Sequence, residues 1–325
     1  MPKMKSINDI KNQRVLYVST KNSDYLRLTQ EIRILRENQN KVTVISSPEK
    51  SYLKRLLYVY KELIKVKIND YNLSFIGFAP QLVLPLFGRK LKKKPIVEDF
   101  FISMYDTICL DRKKCKPNGI FGKILHHVDK KTIHAADLVI CDTNAHGEYF
   151  CDEFSFSSDK ISTLYLEADT SIYYPRETTA HRDFTVLYFG SVLPLQGVQV
   201  ILDAIGLLEN ESGIKFIFIG PLGKNATRKG ERITEFIDWL PQDKLAEKIA
   251  QADLCLAGHF DNTIMKAKRT IPGKAYIYSA MKKPMILGDN AATHELYCES
   301  ENGIYFTEMG NPEKLAKLIM SIKEM

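Results

Sequence analysis

The 325 residues, 45% hydrophobic and 26% charged with 17 Gly and 13 Pro, have a globular composition that excludes a disordered or fibrous chain, and the length suits two domains better than one. No apolar run approaches the roughly 20 residues of a membrane span, and the opening Met-Pro-Lys-Met-Lys-Ser-Ile-Asn-Asp-Ile lacks the apolar stretch of a secretory signal, so a cytoplasmic chain is expected. The net charge of +7 is concentrated in residues 50–67, where Lys50, Lys54, Arg55, Lys61, Lys65 and Lys67 face one acid, Glu62, and in 89–94, which hold Arg89, Lys90, Lys92, Lys93 and Lys94 and no acid.

In chain order, the first half reads as strands at 14–19, 41–46, 73–78, 95–100, 137–142 and 161–166. Helical stretches at 25–37, 50–67, 120–135 and 145–154 lie between them. This alternation builds a parallel, doubly wound sheet. Within 50–67, Tyr52, Leu53, Leu56, Leu57, Tyr60, Leu63 and Ile64 recur at helical spacing between the basic residues. Such a helix either lies on an anionic bilayer at the inner membrane face or packs on a core with its basic face solvated. Nucleic acid is not an expected partner, because no recognised module or aromatic platform accompanies the charge.

The polar stretch 174–183 reads as a linker between domains 1–175 and 176–325. A second α/β series follows at 184–189, 198–208, 214–220, 234–238, 244–250, 253–257, 273–281 and 284–288, with a final helix at 312–322. Two doubly wound domains in tandem place a ligand cleft between them, outside the carboxyl ends of their strands. Cys109, Cys115, Cys141, Cys151, Cys255 and Cys298 form no Cys-x2-Cys pair, so no structural metal is indicated, and Cys141 and Cys255 sit in apolar runs as small hydrophobes.

Chemistry concentrates in two segments. Phe-Thr-Val-Leu-Tyr-Phe-Gly-Ser-Val-Leu-Pro-Leu-Gln-Gly at 184–197 is an apolar strand that ends at Gly190 and reopens as a helix near Gln196, so backbone N–H groups at the turn suit a diphosphate. Lys266, Lys268, Arg269 and Lys274 surround Ile271-Pro-Gly at the start of the next candidate helix. Side-chain charge and the unpaired N–H groups there favour an anion together.

The second half resembles the donor-binding domain of retaining glycosyltransferases of family 4, the group 1 nucleotide-sugar transferases with a GT-B fold. The matching runs are Leu-Tyr-Phe-Gly-Ser-Val-Leu-Pro-Leu-Gln-Gly-Val (187–198), Phe-Ile-Phe-Ile-Gly-Pro (216–221) and Phe-Ile-Asp-Trp-Leu-Pro (236–241). Ile-Ala-Gln-Ala-Asp-Leu-Cys-Leu (249–256), Ile-Pro-Gly-Lys-Ala-Tyr-Ile-Tyr-Ser-Ala-Met-Lys-Lys-Pro (271–284) and Thr-His-Glu-Leu (293–296) continue the match. In the first half, 98–107 and 136–143 are similar to a polysaccharide-assembly branch of that family, more loosely. The family's closing helix pair is read as shortened.

The resemblance implies two Rossmann-like domains: an acceptor-binding one at 1–175 and a nucleotide-sugar-binding one at 176–325. Gly190, Ser191, Gln196 and Gly197 would approach the donor diphosphate, Trp239 and Leu240 would line the base pocket, and Lys266, Lys268, Arg269 and Lys274 would neutralise the leaving group without a metal or cofactor. Asp99 and Asp106, after the strand 95–100, are the acceptor-side catalytic candidates, with strand-end capping as their other reading. His126, His127, His134 and His146 read as surface or packing residues.

Three positions depart from the family pattern. Ser191 and Gln196 stand where an Arg and a Lys are frequent, and Ile277 where a Glu would bind ribose hydroxyls. Either the basic loop 266–274 replaces those charges, or the chain is a catalytically silent GT-B subunit that supports another transferase. A GT-B epimerase is a third reading, for which no acid/base carboxylate pair is evident. The activity expected is transfer from a nucleotide-diphosphate sugar to a saccharide or lipid-linked acceptor, retaining, in cell-surface polysaccharide or glycoconjugate synthesis. An anionic membrane surface is an expected partner of 50–67 and 89–94.

Overall fold

Residues 4–178, 182–191, 193–223, 226–299 and 303–325 are described by a computed structural model, and the statements below concern these residues. The chain divides into two units, Met1–Glu167 and Ala168–Met325. Of the stretch 174–183 read as a linker, 174–178 carry no regular structure and 179–181 lie outside the described residues.

The first unit runs β1 (Arg14–Ser19), α1 (Leu26–Glu37), β2 (Lys41–Ile45), α2 (Tyr52–Lys65), β3 (Leu73–Gly77), α3 (Leu84–Leu91) and β4 (Ile96–Asp99). A π-helical turn at Asp106–Asp111 follows, then α4 (Ile120–Ile133), β5 (Leu138–Cys141), α5 (Asn144–Phe154) and β6 (Ile161–Thr163). All strand pairs are parallel, in the order β2-β1-β3-β4-β5-β6. β3, β4 and β5 are buried along their whole length, as continuous apolar strands covered on both faces must be. Side chains of α1 pack with Val15, Tyr17, Phe75, Val97 and Ile140 on one face. The alternate residues Leu16, Val18, Ile76 and Ile96 meet α2 and α3 on the other face, which α4 and α5 continue over Val139 and Cys141.

The second unit runs β7 (Phe184–Phe189), α6 (Val198–Leu207), β8 (Ile214–Ile219), β9 (Thr234–Ile237), α7 (Gln242–Gln251) and β10 (Leu254–Gly258). It closes with α8 (Gly273–Ala280), β11 (Met285–Gly288), β12 (Ile304–Thr307) and α9 (Pro312–Lys323). The order β12-β11-β10-β7-β8-β9, again parallel, is that of a dinucleotide-binding doubly wound sheet. It reverses direction between β7 and β10, and ligands bind such sheets at the carboxyl ends flanking the reversal. Val186, Tyr188, Phe216, Phe218 and Leu256 fill the core under Ile201 and Ile205 of α6 and Leu315 and Ile319 of α9. The expected α/β class, two tandem doubly wound units, is therefore present.

Two elements escape the periodicity. Helix α3 is eight residues long and contains Pro85 and Gly88, but Pro85 falls in the first turn, where its missing N–H costs nothing. Strand β12 is a four-residue edge strand. Cys109 and Cys115 form a disulfide with Cα atoms 4.8 Å apart, a pairing that their spacing did not suggest. Cys141 and Cys255 are buried thiols, and burial pushes both well above the usual thiol range.

Candidate nucleotide-sugar site

At the reversal point of the second sheet, the chain leaves β7 at Gly190, makes a 3-10 turn at Pro194–Gln196 and enters α6 through Gly197. Gly197 has φ +67°, and a Cβ there would lie 2.5 Å from the Asp261 backbone nitrogen. Only glycine fits, so the loops after β7 and β10 touch where the strand order reverses. The Phe260 N–H also donates to the Gln196 carbonyl at 3.3 Å. Leu195 packs with Ile264, Ala267 and Met309, which seats the 3-10 turn Met265–Lys268 against the first loop.

Lys274, in the first turn of α8, joins the two loops. Its side chain is 5% exposed, and the ammonium donates to Gln196 Oε1 and lies 4.7 Å from the Tyr188 ring centroid. A Cβ at Gly190 would sit 3.4 Å from Lys274 Nζ and 2.5 Å from the Tyr188 hydroxyl, so the bare glycine leaves room for both. Burial lowers the Lys274 pKa from its ordinary 10.5 to about 7, and no carboxylate among the described residues offsets it. A buried ammonium with neutral partners favours a negative charge placed beside it. The positive end of the α8 dipole adds to its attraction.

The remaining donor-side residues take different places. The Gly190 N–H is donated to the Ile219 carbonyl at 2.9 Å, so a phosphate here would draw on side-chain charge and the first turns of α6 and α8. Ser191 is exposed, and its neighbour Val192 in the same motif lies outside the described residues. Lys266, Lys268 and Arg269 are half-buried on the turn leading to α8, with the Arg269 N–H donating to the Lys266 carbonyl at 3.0 Å. Ile277 is half-buried on α8 and presents no hydrogen-bonding group. Trp239 is 74% exposed and Leu240 half-buried after β9, two strands and about 10 Å from β7 by strand spacing. A hollow of about 440 Å³ lined by Asp183, Ile214, Lys215 and Thr234 lies at the amino ends of the strands, the opposite end from Gly190.

In the first unit Asp99 ends β4 and Asp106 opens the π-helical turn, both buried. Asp99 forms an ion pair with Arg27 at 2.8 Å, and Arg27 also donates to the Cys141 carbonyl at 3.3 Å and to that of Leu164. Glu31 lies 3.5 Å from Arg27 and accepts from the Tyr17 hydroxyl. Burial, with Asp99 nearby, holds Glu31 well above the usual carboxylate range. The Asp106 N–H donates to Ser103 Oγ at 2.9 Å. His146 is fully buried and paired with Asp142 at 2.7 Å, whereas His126 meets Glu153 at 3.1 Å.

Tyr188, Arg27 and Glu31 were not singled out in the sequence. Tyr188 sits in an apolar strand where a tyrosine reads as core, and the only signal was its place two residues before Gly190.

Two parallel six-stranded doubly wound units in tandem are the architecture of the GT-B fold. Residues 183–324 match the family model described as Glycosyl transferases group 1. Among solved structures the chain is similar to Anabaena Alr3699/HepE in complex with UDP, at 14% identity and TM-score 0.65, covering 96% of this chain and 90% of that one. It is also similar to sucrose-phosphate synthase from Thermosynechococcus elongatus, at 12% identity and TM-score 0.65 with the same coverages. A glycosyltransferase from Rickettsia africae ESF-5 aligns at 12% identity and TM-score 0.59, covering 96% and 89%. No curated protein is matched by the sequence.

Proposed function

We propose that this protein is a glycosyltransferase that moves a sugar from a nucleoside-diphosphate sugar to a saccharide or lipid-linked saccharide. In this reading it acts with retention and without a metal, in cell-surface polysaccharide or glycoconjugate synthesis at the inner face of a membrane. The observation that carries the reading is the buried Lys274 ammonium at the reversal point of a dinucleotide-binding sheet, donating to Gln196 and lying over the Tyr188 ring. As the sugar–phosphate bond breaks, negative charge grows on the diphosphate, and a fixed cation in a dry site stabilises that charge more than it does the ground state. Lys266, Lys268 and Arg269 supply further positive charge, and Trp239 and Leu240 the base contact. UDP is the nucleotide to test first, because the HepE structures hold UDP and UDP-glucose.

On the acceptor side, assigned to the first unit, Asp99 acts by fixing Arg27, and Asp106 is the second carboxylate. The basic stretches 50–67 and 89–94 bring this unit to an anionic membrane. A second reading, a silent subunit that supports another transferase, is favoured by Gln196 and Ile277, which lack the charges common at those places. Turnover across a panel of nucleotide sugars separates the two: transfer or donor hydrolysis supports the enzyme. Inactivity with every donor, alone and with acceptor saccharides, supports the silent subunit, and sugar inversion without transfer would mark an epimerase.

A further inference from the structure

We propose that the first unit docks on an anionic bilayer through the outer face of the neighbouring helices α2, α3 and α4, with the amino-terminal tip of α4 entering the apolar layer. The inference rests on the membrane reading above, which involves only 50–67 and 89–94, and adds α4 to it. Helices that follow a parallel strand begin at the carboxyl end of the sheet. That is where α2 and α3 begin after β2 and β3, and α4 starts at the same end because it runs down into the start of β5. The three lie side by side: the Tyr60 hydroxyl donates to the Leu82 carbonyl at 2.6 Å, and Lys90 Nζ donates to the carbonyls of Leu63 (2.7 Å) and Ile64 (2.9 Å). Gln81, just before α3, donates to Asp129 of α4 at 2.8 Å.

This outer face exposes large apolar side chains. Leu86 of α3 is 66% exposed, and Ile120 and Phe121 at the tip of α4 are 83% and 56% exposed, with Leu53 and Leu57 of α2 open beside them. Single exposed leucines are ordinary, but a cluster on three neighbouring helices marks an interaction surface. On α2 the buried residues are Arg55, Val59 and Leu63, so Leu53, Leu57 and Ile64 form a second apolar stripe about 40° wide, turned away from the core. Lys54, Lys61 and Lys65 border that stripe, and Lys123 stands beside Ile124 on α4. The acids of these helices do not oppose the charge, because Glu62 is paired with Lys65 at 2.7 Å and Asp129 is buried. Bulky apolar groups bordered by lysines match a bilayer, whose anionic headgroups take the lysines and whose acyl boundary takes the apolar tips.

Sedimentation with phosphatidylcholine vesicles, with and without phosphatidylglycerol, tests this. The wild type binds the anionic vesicles and is weakened by salt. Lys54→Gln/Lys61→Gln loses about fivefold per lysine at low salt, and Ile120→Ser/Phe121→Ser/Ile124→Ser loses at least about tenfold at every salt concentration. These side chains are solvated, so the folded state survives, and an unchanged thermal unfolding curve confirms it. As an independent readout, Phe121→Trp in a Trp239→Phe background shifts its emission to the blue on anionic vesicles. If the α4 triple variant binds like the wild type while the lysine variant does not, the α4 inference falls and the 50–67 reading stands. If the wild type ignores all vesicles, both fall. Displacement by duplex DNA without a blue shift would make the surface a nucleic-acid site instead.

Discussion

The Lys274 ammonium donates to the side-chain carbonyl of Gln196, 78 residues away in sequence, and so ties the loop after β7 to the helix that follows β10. A neutral amide fixes the direction of the cation without cancelling its charge. A lysine at position 196 would instead put two cations in one buried space, so Gln196 and the low pKa of Lys274 belong together.

Binding of UDP should weaken as pH rises above neutrality. Burial holds the Lys274 pKa at about 7, and a bound diphosphate raises it, so binding takes up a proton. Affinity then falls by up to about tenfold per pH unit between 7 and the raised value. Without ligand the sign is opposite for stability: the unfolded lysine keeps its proton up to its ordinary 10.5, so stability rises as pH climbs from about 7 towards that value. Titration calorimetry at pH 7, 8 and 9 with Lys274→Met as control checks the first effect, and urea unfolding over the same range checks the second.

Gly197→Ala should destabilise the second unit by about 2 kcal/mol or more. A left-handed backbone costs a non-glycine residue about 1–2 kcal/mol, and the new methyl group meets the backbone at Asp261. Gly206→Ala is the comparison, because there the new group meets only the flexible Lys229 side chain. Urea unfolding midpoints of the two variants measure the difference.

Asp99→Asn should cost up to about 3–5 kcal/mol, since it removes the buried partner of Arg27, with Glu31 at 3.5 Å recovering part of that by ionising in its place. Arg27→Met/Asp99→Asn should recover much of that stability. A purely catalytic Asp99 would instead lose turnover at unchanged stability, so unfolding curves beside turnover rates separate the roles.

Glu98 presents a pH effect of its own. Both its carboxyl oxygens are buried without a hydrogen-bond partner, and burial holds its pKa well above the usual range. The folded state thus keeps a proton that the unfolded chain releases near its ordinary 4.5, and stability falls by about 1.4 kcal/mol per pH unit above that value until the buried group ionises. Glu98→Gln should remove this slope, so its advantage in unfolding free energy grows as pH rises above 4.5.

Much of this site was legible because its chemistry is local. Strand, glycine, turn and helix are consecutive at 184–198, and the cations of 266–274 cluster before a helix. Tyr188 was hidden because a strand buried on both faces treats an aromatic ring as core whether or not a cation sits over it. Arg27 was hidden because its partner Asp99 is 72 residues away and only the parallel order of β1, β3 and β4 brings them together. The amphipathic pattern of 50–67 was plain, but the exposed tip of α4 was not, since Ile120, Phe121 and Ile124 read as any apolar helix face until burial is known.

Titration calorimetry of UDP, then other nucleoside diphosphates, into the wild type and Lys274→Met at pH 7 tests the central claim most directly. Losing one partly desolvated charge contact should weaken binding by about 1.5–3 kcal/mol, or tenfold to a hundredfold, and abolish proton uptake, with Arg269→Ala losing less. Equal affinity in wild type and Lys274→Met, or no binding of any nucleoside diphosphate by the wild type, would contradict it.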